Sequence, residues 1–271
     1  MKKLFAFDLD GTLLNSESKF HLETIDALNK AKEKGHYLAI ATGRGVASTS
    51  IFLDQFANFD FLICNNGTVV YDVKNKKTLI KSYLPKEYLY TLIEEAKRTH
   101  SFFTLSTEKK VYPYKKEGDD FSWLNEQELM DYSAQGFKSE QEIYDAIEKN
   151  GEKITQLALR NSEDKVKALA EKYRNIFKDN ATCLVTNRVY FDVNPAKTDK
   201  FYGILTALEE LNLTTENLVT FGDSGNDVMM IENAKFGFAM GNATPEAKAV
   251  SVEAIGHFNS DAIAKKILEL I

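Results

Sequence analysis

Two carboxylates stand directly after the first apolar segment of the chain. Asp8 and Asp10 follow the run Leu4–Phe7 and precede Gly11, a residue that permits a tight turn. Side chains alternate along an extended segment, so both carboxylates should project to the same side while Leu9 projects to the other. Acidic turns after strands are common, and the pair alone leaves a functional site and a simple turn equally open.

A second acidic turn follows the apolar run 218–221 near the other end of the chain. Asp223 stands at the end of this run, and Asp227 lies one turn into the next helix. If the two runs are neighbouring strands, three or four carboxylates share one small volume. At ~4 Å and an effective dielectric near 20, each like-charged pair costs about 4 kcal/mol, so the cluster requires a cation. Ligands that are all oxygen favour magnesium over zinc, and the sequence therefore predicts a Mg²⁺ site.

Groups that could bind an anion stand elsewhere in the sequence. Thr42, Gly43 and Arg44 end an apolar run with a hydroxyl, an unhindered backbone N–H and a guanidinium, which are donors suited to phosphate oxygens. Lys200 opens a predicted helix and could bring an ammonium to the same edge. From these residues alone, a solvated lysine and an ordinary helix cap at Thr42 remain alternatives.

Short apolar runs alternate with helical patterns at both ends of the chain. The runs predicted as buried strands are Leu4–Phe7, Tyr37–Ala41, Phe61–Cys64, 218–221 and Phe236–Ala239. Helices are predicted over 18–35 and 199–212, and another begins at Thr244 and Pro245, an N-cap followed by proline. This alternation predicts an α/β fold with a doubly wound parallel sheet.

The middle of the chain has a different pattern of predicted helices and strands. Helical patterns over 86–100 and 162–178 are mixed there with alternating runs over 102–114 and 154–160. We therefore predict a core made of residues 1–82 and 189–271, with an α+β domain inserted at 83–188. The segment 192–195 is predicted to return the chain to the core.

Composition narrows the range of partners. The 271 residues include 40 acids and 34 bases, for a net charge of −6, and contain no dense basic block, which argues against nucleic acid. The apolar run at the N-terminus is too short for a signal peptide, and no run approaches the roughly 18 residues of a membrane span. We expect a cytoplasmic protein that does not contact a membrane.

Cys64 and Cys183 stand singly within apolar stretches, which favours buried, reduced thiols.

Taken together and in order, the motifs resemble those of the haloacid dehalogenase-like hydrolase superfamily, specifically its Cof-type sugar-phosphatase branch. The segments that carry this resemblance are 8–14, 42–44, Asn66 with Gly67, Lys200, 222–230 and 239–243. The resemblance runs from residue 3 to residue 243. It implies a Rossmann-like core and an inserted cap domain that determines substrate specificity.

The resemblance also implies roles for individual residues. Asp8 matches the nucleophile and a magnesium ligand, and Asp10 matches the general acid/base, which ligates the metal through its carbonyl. Asp223 matches the remaining protein ligand of the metal, and Asp227 a supporting carboxylate. The positions that match those holding the phosphoryl group are the backbone of Leu9, Thr42, Gly43, Lys200 and Asn226. Phe201 follows Lys200 where the family usually has glycine, which is a departure from the pattern.

We therefore predict a Mg²⁺-dependent phosphatase that hydrolyses small phosphorylated metabolites through an aspartyl-phosphate. A phosphomutase with the same nucleophile, a phospho-accepting signalling domain and a catalytically idle binding module are the alternatives. Release of inorganic phosphate separates the phosphatase from the mutase. The substrate and the oligomeric state stay open. In the inserted domain, packing or solvated surface is the favoured interpretation of Tyr112, Trp123, Arg160 and Arg188.

Overall fold

The chain is divided into two units in the computed structural model, which describes residues 1–119, 121 and 136–271. The first unit comprises Met1–Lys81 and Thr198–Ile271, and the second comprises Ser82–Lys197. Trp123 lies outside the described residues. No helix among the described residues is both long and apolar enough to span a membrane.

The first unit contains an eight-stranded sheet. Its strands are β1 (Leu4–Phe7), β2 (Tyr37–Ala41), β3 (Phe61–Cys64), β4 (Val69–Asp72), β5 (Lys77–Ile80), β11 (Leu218–Gly222), β12 (Phe236–Ala239) and β13 (Glu253–Ala254). Their order across the sheet is β13-β12-β11-β1-β2-β3-β4-β5. The strands from β13 to β3 pair in parallel, and β4 and β5 add an antiparallel hairpin at one edge.

Helices cover this sheet, which explains why its central strands are mostly apolar. They are α1 (Leu22–Glu33), α2 (Val46–Ser50), α6 (Lys200–Glu210), α7 (Val228–Glu232), α8 (Pro245–Val250) and α9 (Ala262–Leu270). Every residue of β1 is buried, as expected for a parallel strand covered on both faces. The predicted doubly wound parallel sheet is confirmed, and each of the five predicted core strands is present.

The second unit contains a five-stranded antiparallel sheet. Its strands are β6 (Phe102–Thr107), β7 (Val111–Tyr114), β8 (Ile154–Arg160), β9 (Ala181–Thr186) and β10 (Tyr190–Pro195), in the order β7-β6-β8-β10-β9. The helices of this unit are α3 (Lys86–Thr99), α4 (Glu140–Glu148) and α5 (Glu163–Phe177). Apolar residues of this sheet and these helices form a core of their own. The mixture of strands and helices agrees with the α+β texture of the sequence.

The second boundary between the units differs from the sequence-based one. The chain re-enters the first unit at Thr198, whereas the predicted return was at 189. The reason is β10, which covers the predicted return segment 192–195 and pairs with both β8 and β9. Because this strand lies between β8 and β9 in the second sheet, it belongs to the second unit.

Candidate active site

The candidate site lies at the carboxyl ends of neighbouring parallel strands in the first unit. Asp8 directly follows β1, Thr42 follows β2, and Asp223 follows β11. Because β1 lies between β2 and β11, these residues meet at one edge of the sheet, where open α/β sheets bind ligands. The backbone N–H of Asp8 donates to the carbonyl of Phe221 at 2.9 Å, which extends the strand pairing to the aspartate itself.

Asp8 is a buried carboxylate, with only 5% of its surface exposed. Its Oδ1 accepts a hydrogen bond from the Nζ of Lys200 at 2.6 Å. Burial raises the pKa of Asp8 well above its usual range; the ammonium of Lys200 opposes this rise, and Asp227 and the other nearby carboxylates add to it. An ionised Asp8 therefore depends on positive charge in its surroundings.

Lys200 places its ammonium between two carboxylates. Its Nζ donates to Asp8 and to the Oδ1 of Asp227, each at 2.6 Å, and its side chain is 1% exposed. Burial alone would lower the pKa of Lys200, but the charges of Asp227 and Asp8 outweigh burial and raise it. Asp199 caps helix α6, where its carboxylate accepts the N–H of Tyr202 at 2.8 Å, and the helix thereby presents Lys200 at its first position.

Asp227 and Asp223 are joined through the turn after β11. The Oδ2 of Asp227 accepts the backbone N–H groups of Asp223 and Ser224, each at 2.9 Å. Gly222 is required here, because a Cβ at this position would lie 2.5 Å from the Cβ of Asp227. Burial, followed by the charge of Asp227, raises the pKa of Asp223 to about 7.

Three carboxylates of the site converge. Asp8, Asp223 and Asp227 each offer an oxygen, and these oxygens lie within 4.8 Å of one another. Carboxylate oxygens are the ligands that a hard divalent cation such as Mg²⁺ prefers, and these three would lie close enough to hold one such ion. The raised pKa of Asp223 and of Asp8 has the same origin, since each buried negative charge lacks full neutralisation. The group is therefore suited to a divalent metal.

The side chain of Asp10 lies outside this group and pairs with Arg44. The Nε of Arg44 donates to Asp10 Oδ2 at 2.8 Å, and its Nη2 donates to Oδ1 at 2.5 Å. The ring of Phe52 lies 5.3 Å from the guanidinium carbon. Two donors of the Arg44 guanidinium thus hold the second carboxylate of the acidic pair, and a contact of this guanidinium with a phosphate stays a prediction. The group of converging carboxylates does not include the side chain of Asp10, and the carbonyl ligation implied by the resemblance stays a prediction.

The remaining residues predicted to hold a phosphoryl group lie at the same edge. Thr42 is buried, and its Oγ1 accepts the backbone N–H of Arg44 at 3.2 Å. Asn226 is also buried, in the short helical turn Gly225–Asp227, and Gly43 lies against Asn66. Leu9 buries its side chain completely, so its contribution to a ligand is limited to its backbone.

Sequence reasoning assigned no role to Asn242, which holds two parts of the site together. Its Nδ2 donates to the carbonyl of Gly11 at 2.8 Å and to Asp223 at 3.4 Å, while its Oδ1 accepts the N–H of Phe258 at 3.1 Å. Thr12 also donates to Asp223, at 3.3 Å. The signal for Asn242 was its place in the 239–243 segment after β12, a segment noted only as part of the resemblance.

In the second unit, Tyr112 and Arg160 pack against neighbouring side chains, and Arg188 lies at the surface. Tyr112 is buried and donates to the carboxylate of Glu152 at 2.8 Å. The guanidinium carbon of Arg160 lies 5.3 Å from the ring of Tyr190, and Arg188 is exposed. Cys64 and Cys183 are buried free thiols, as expected.

Comparison with known proteins identifies the family. The model of the haloacid dehalogenase-like hydrolase family matches residues 5–267, nearly the whole chain. The chain belongs to this family, and the predicted superfamily, with its Cof-type branch, is confirmed.

Two curated relatives match more than nine tenths of the chain. It is 27% identical over 267 residues to the 5-amino-6-(5-phospho-D-ribitylamino)uracil phosphatase YcsE of Bacillus subtilis, a match that covers 98% of this chain and 94% of that protein. It is 26% identical over 250 residues to an HMP-PP phosphatase of Klebsiella pneumoniae, covering 92% and 88%. The predicted class of enzyme, a phosphatase of this superfamily, is confirmed.

A solved structure supports the fold independently. A haloacid dehalogenase-like hydrolase from Bacillus subtilis matches with a TM-score of 0.85 at 24% identity. The match covers 99% of this chain and 100% of the other. Because the two sequences are only 24% identical, this structural likeness is evidence for the fold alone. The role of each site residue stays a prediction.

Proposed function

We propose that this chain hydrolyses monoesters of phosphate through a covalent aspartyl-phosphate on Asp8, with Mg²⁺ as its metal. The observation that carries the proposal is the position of Asp8. Its carboxylate lies at the end of β1, with one oxygen on Lys200, and belongs to the acidic group with Asp223 and Asp227. A buried carboxylate with this much local charge has little structural purpose, because desolvation makes it costly to maintain.

The metal would be held by Asp8, Asp223 and the carbonyl of Asp10, with Asp227 in support. When bound, Mg²⁺ supplies positive charge that offsets repulsion between an anionic substrate and the carboxylates. Lys200 supplies charge from the protein itself. Its ammonium touches Asp8, so it lies beside the position that a phosphoryl group takes as it approaches the nucleophile.

In the first half of the reaction, an oxygen of Asp8 attacks phosphorus in line with the ester bond. The bond between phosphorus and the ester oxygen breaks, and its electron pair leaves with the alkoxide. Asp10, as the acid, transfers its proton to that oxygen, so the first product departs as an alcohol. The backbone N–H of Leu9, Thr42, Gly43 and Asn226 would hold the phosphoryl oxygens during the transfer.

In the second half, Asp10 is ionised and acts as a base. It takes a proton from water, the water oxygen attacks phosphorus, and the bond between phosphorus and Asp8 breaks. Inorganic phosphate leaves, the carboxylate of Asp8 is regenerated, and Asp10 is again protonated. Separate surroundings for the two aspartates support these separate roles, since Asp8 lies on Lys200 whereas Asp10 lies on Arg44.

The substrate class follows from the relatives and is part of the proposal. Two relatives are named for small phosphorylated metabolites, 5-amino-6-(5-phospho-D-ribitylamino)uracil and HMP-PP. We propose small metabolites of this kind, including sugar phosphates, as the substrates. That the second unit determines the choice of substrate remains a prediction. That the protein is cytoplasmic remains a prediction as well.

The test is release of inorganic phosphate from a panel of phosphorylated metabolites, with wild type and Asp8→Asn compared at saturating magnesium. The variant keeps the shape of the side chain and removes the nucleophile, so we expect turnover to fall by at least about a thousandfold. Asp26→Asn, an exposed aspartate of α1, is the matched control and should retain wild-type activity. Substantial phosphate release by Asp8→Asn would refute the proposal. An isomerised sugar phosphate in place of inorganic phosphate would favour the mutase.

A further inference from the structure

The turn after β3 has an unusual backbone and a buried position. Asn65 and Asn66 both have φ of 49°, in the left-handed region, and Gly67 has φ of 92°. All three residues are buried. Asparagine adopts this conformation more readily than other residues with a Cβ, but two in succession still cost free energy, so the surrounding structure must stabilise the turn.

The backbone of this turn supports the segment after β2. The N–H of Asn65 donates to the carbonyl of Arg44 at 2.9 Å, and the N–H of Asn66 donates to the carbonyl of Thr42 at 3.0 Å. Gly43, between these two carbonyls, lies close to the side chain of Asn66, since a Cβ on this glycine would be 3.2 Å from its Oδ1. The turn therefore fixes two of the residues assigned to phosphoryl binding.

The side chain of Asn66 reaches a third such residue. Its Oδ1 accepts a hydrogen bond from Nδ2 of Asn226 at 3.0 Å, and the hydroxyl of Ser224 donates to Oδ1 of Asn226 at 2.6 Å. The amide of Asn226 is thus held at both ends, and its orientation is determined by these two partners. Since an amide nitrogen carries two hydrogens, the second N–H can donate to a ligand oxygen.

The turn also packs directly on the helix that carries Lys200. A Cβ on Gly67 would lie 1.8 Å from the carbonyl oxygen of Asp199, the N-cap of α6. A Cβ on Gly203, one turn further along α6, would lie 2.8 Å from the Cα of Gly67. These backbones touch without intervening side chains, so one short turn contacts three segments of the site.

We propose that Asn66 is a positioning residue for phosphoryl binding, which acts through the amide of Asn226. This inference rests on the proposed function, because it takes Asn226 as a phosphoryl ligand. Asparagine suits both requirements of the position: it tolerates the left-handed conformation and offers a neutral acceptor. Glycine meets only the first requirement, and aspartate would add a negative charge beside a dianionic substrate.

A double-mutant cycle tests this proposal. Asn66→Gly, Asn226→Ala and the double variant are compared with wild type for kcat/KM on one phosphate monoester and for inhibition by inorganic phosphate. We expect Asn66→Gly to lower kcat/KM about tenfold and to weaken phosphate inhibition by a similar factor, because Asn226 loses its fixed orientation. In the Asn226→Ala background the same change should have an effect of less than about twofold, since its target is already gone.

Asn212→Gly is the matched control, because Asn212 also has a left-handed φ, 53°, but is exposed beyond the end of α6. Its kcat/KM and melting temperature should equal those of wild type. Asn66→Asp is a second variant that keeps the backbone conformation and the acceptor, and it should recover kcat relative to Asn66→Gly while raising KM through its charge.

The outcomes separate the inference from the proposed function. If Asn226→Ala lowers activity but Asn66→Gly does not, or if the two losses multiply in the double variant, the positioning role is wrong. If wild type releases no phosphate, or if Asn226→Ala leaves both measurements unchanged, the proposed role of Asn226 fails and the inference fails with it.

Discussion

Arg44 donates two parallel hydrogen bonds to the carboxylate of Asp10, from Nε to Oδ2 at 2.8 Å and from Nη2 to Oδ1. This bidentate geometry is the strongest way in which an arginine can orient a carboxylate. The first aspartate of the acidic pair, Asp8, has a different cation as its partner, Lys200, although only Leu9 lies between the two aspartates in the sequence. The guanidinium therefore determines the orientation of the carboxylate that is the proposed acid/base group.

Replacing Arg44 should affect the transfer of a proton more than the attack on phosphorus. We expect Arg44→Gln to lower kcat/KM for an alkyl phosphate by about a hundredfold, because an alkoxide is a poor leaving group without a well-placed acid. For 4-nitrophenyl phosphate, whose leaving group departs without a proton, the loss should be about tenfold or less. The measurement is the ratio of kcat/KM for the two esters in each variant.

Arg98→Gln supplies the control for this experiment. Arg98 makes the same kind of bidentate pair with Glu95, through Nε at 3.0 Å and Nη2 at 2.6 Å, but in the second unit. Its removal should leave both esters unaffected. Equal losses on the two esters in Arg44→Gln would contradict the assignment of Arg44 to Asp10 and indicate a general effect on binding.

Lys200 should contribute to stability as well as to activity. Its removal leaves the buried carboxylates of Asp8 and Asp227 without their shared cation. Breaking a buried pair typically costs about 3–5 kcal/mol, and we expect Lys200→Met to lower the free energy of unfolding by this order in the absence of magnesium. Denaturant unfolding monitored by circular dichroism measures this difference.

Lys81→Met is the comparison, since Lys81 pairs with Glu209 in an exposed setting, at 2.7 Å. An exposed pair contributes about 1 kcal/mol or less, so this variant should unfold close to wild type. A Lys200→Met protein as stable as Lys81→Met would mean that Asp8 and Asp227 are not maintained by the ammonium.

The positions of the acidic residues were accessible from sequence because they depend on local rules. A short apolar run followed by an aspartate places that residue at the carboxyl end of a strand, and parallel strands bring such ends to one edge. Asp8 and Asp223 directly follow adjacent strands and therefore meet at this edge, although more than two hundred residues separate them in the chain.

Other features depend on tertiary contacts that no local pattern records. The sequence around Arg44 contains a guanidinium but does not indicate its partner, Asp10, which lies in the segment after β1. The same holds for Asn242 and Asn66, whose amides bridge separate segments. The second boundary was misplaced because β10 reads as a strand in either unit, and only its pairing with β8 and β9 assigns it.

His36 should make stability depend on pH through a group remote from the metal ligands. Burial, followed by the charge of Lys3, lowers the pKa of His36, and its Nδ1 accepts the backbone N–H of Lys3 at 3.0 Å. A histidine with a lowered pKa in the native state contributes stability above its unfolded value of about 6.5, and this contribution is lost as pH falls below that value. We therefore expect wild type to lose more stability between pH 7.5 and 5.5 than His36→Gln, whose amide oxygen keeps the acceptor without a titration. Identical losses in urea unfolding experiments would rule this out.

The titration of Asp223 should make the stability of the metal-free protein depend on pH in the opposite direction. Its pKa is raised to about 7, against an ordinary value of about 4. Between these pH values the native state holds a proton that the unfolded chain has lost, so this group lowers the free energy of unfolding as pH rises through the window. In the proposed metal site the ionised form of Asp223 is the ligand, so the stabilising effect of magnesium should be larger at pH 8 than at pH 5.5. Melting temperatures with magnesium and with chelator, at both pH values, measure this effect.

The control is Asp223→Asn, which removes both the titration and a proposed ligand. In this variant the increase in melting temperature on adding magnesium should be small and should no longer grow with pH. If wild type gains as much from magnesium at pH 5.5 as at pH 8, proton and cation do not compete at Asp223, and the metal must bind through other groups. If the variant responds to magnesium as wild type does, Asp223 is not a ligand, and the proposed metal site at the end of β11 is wrong.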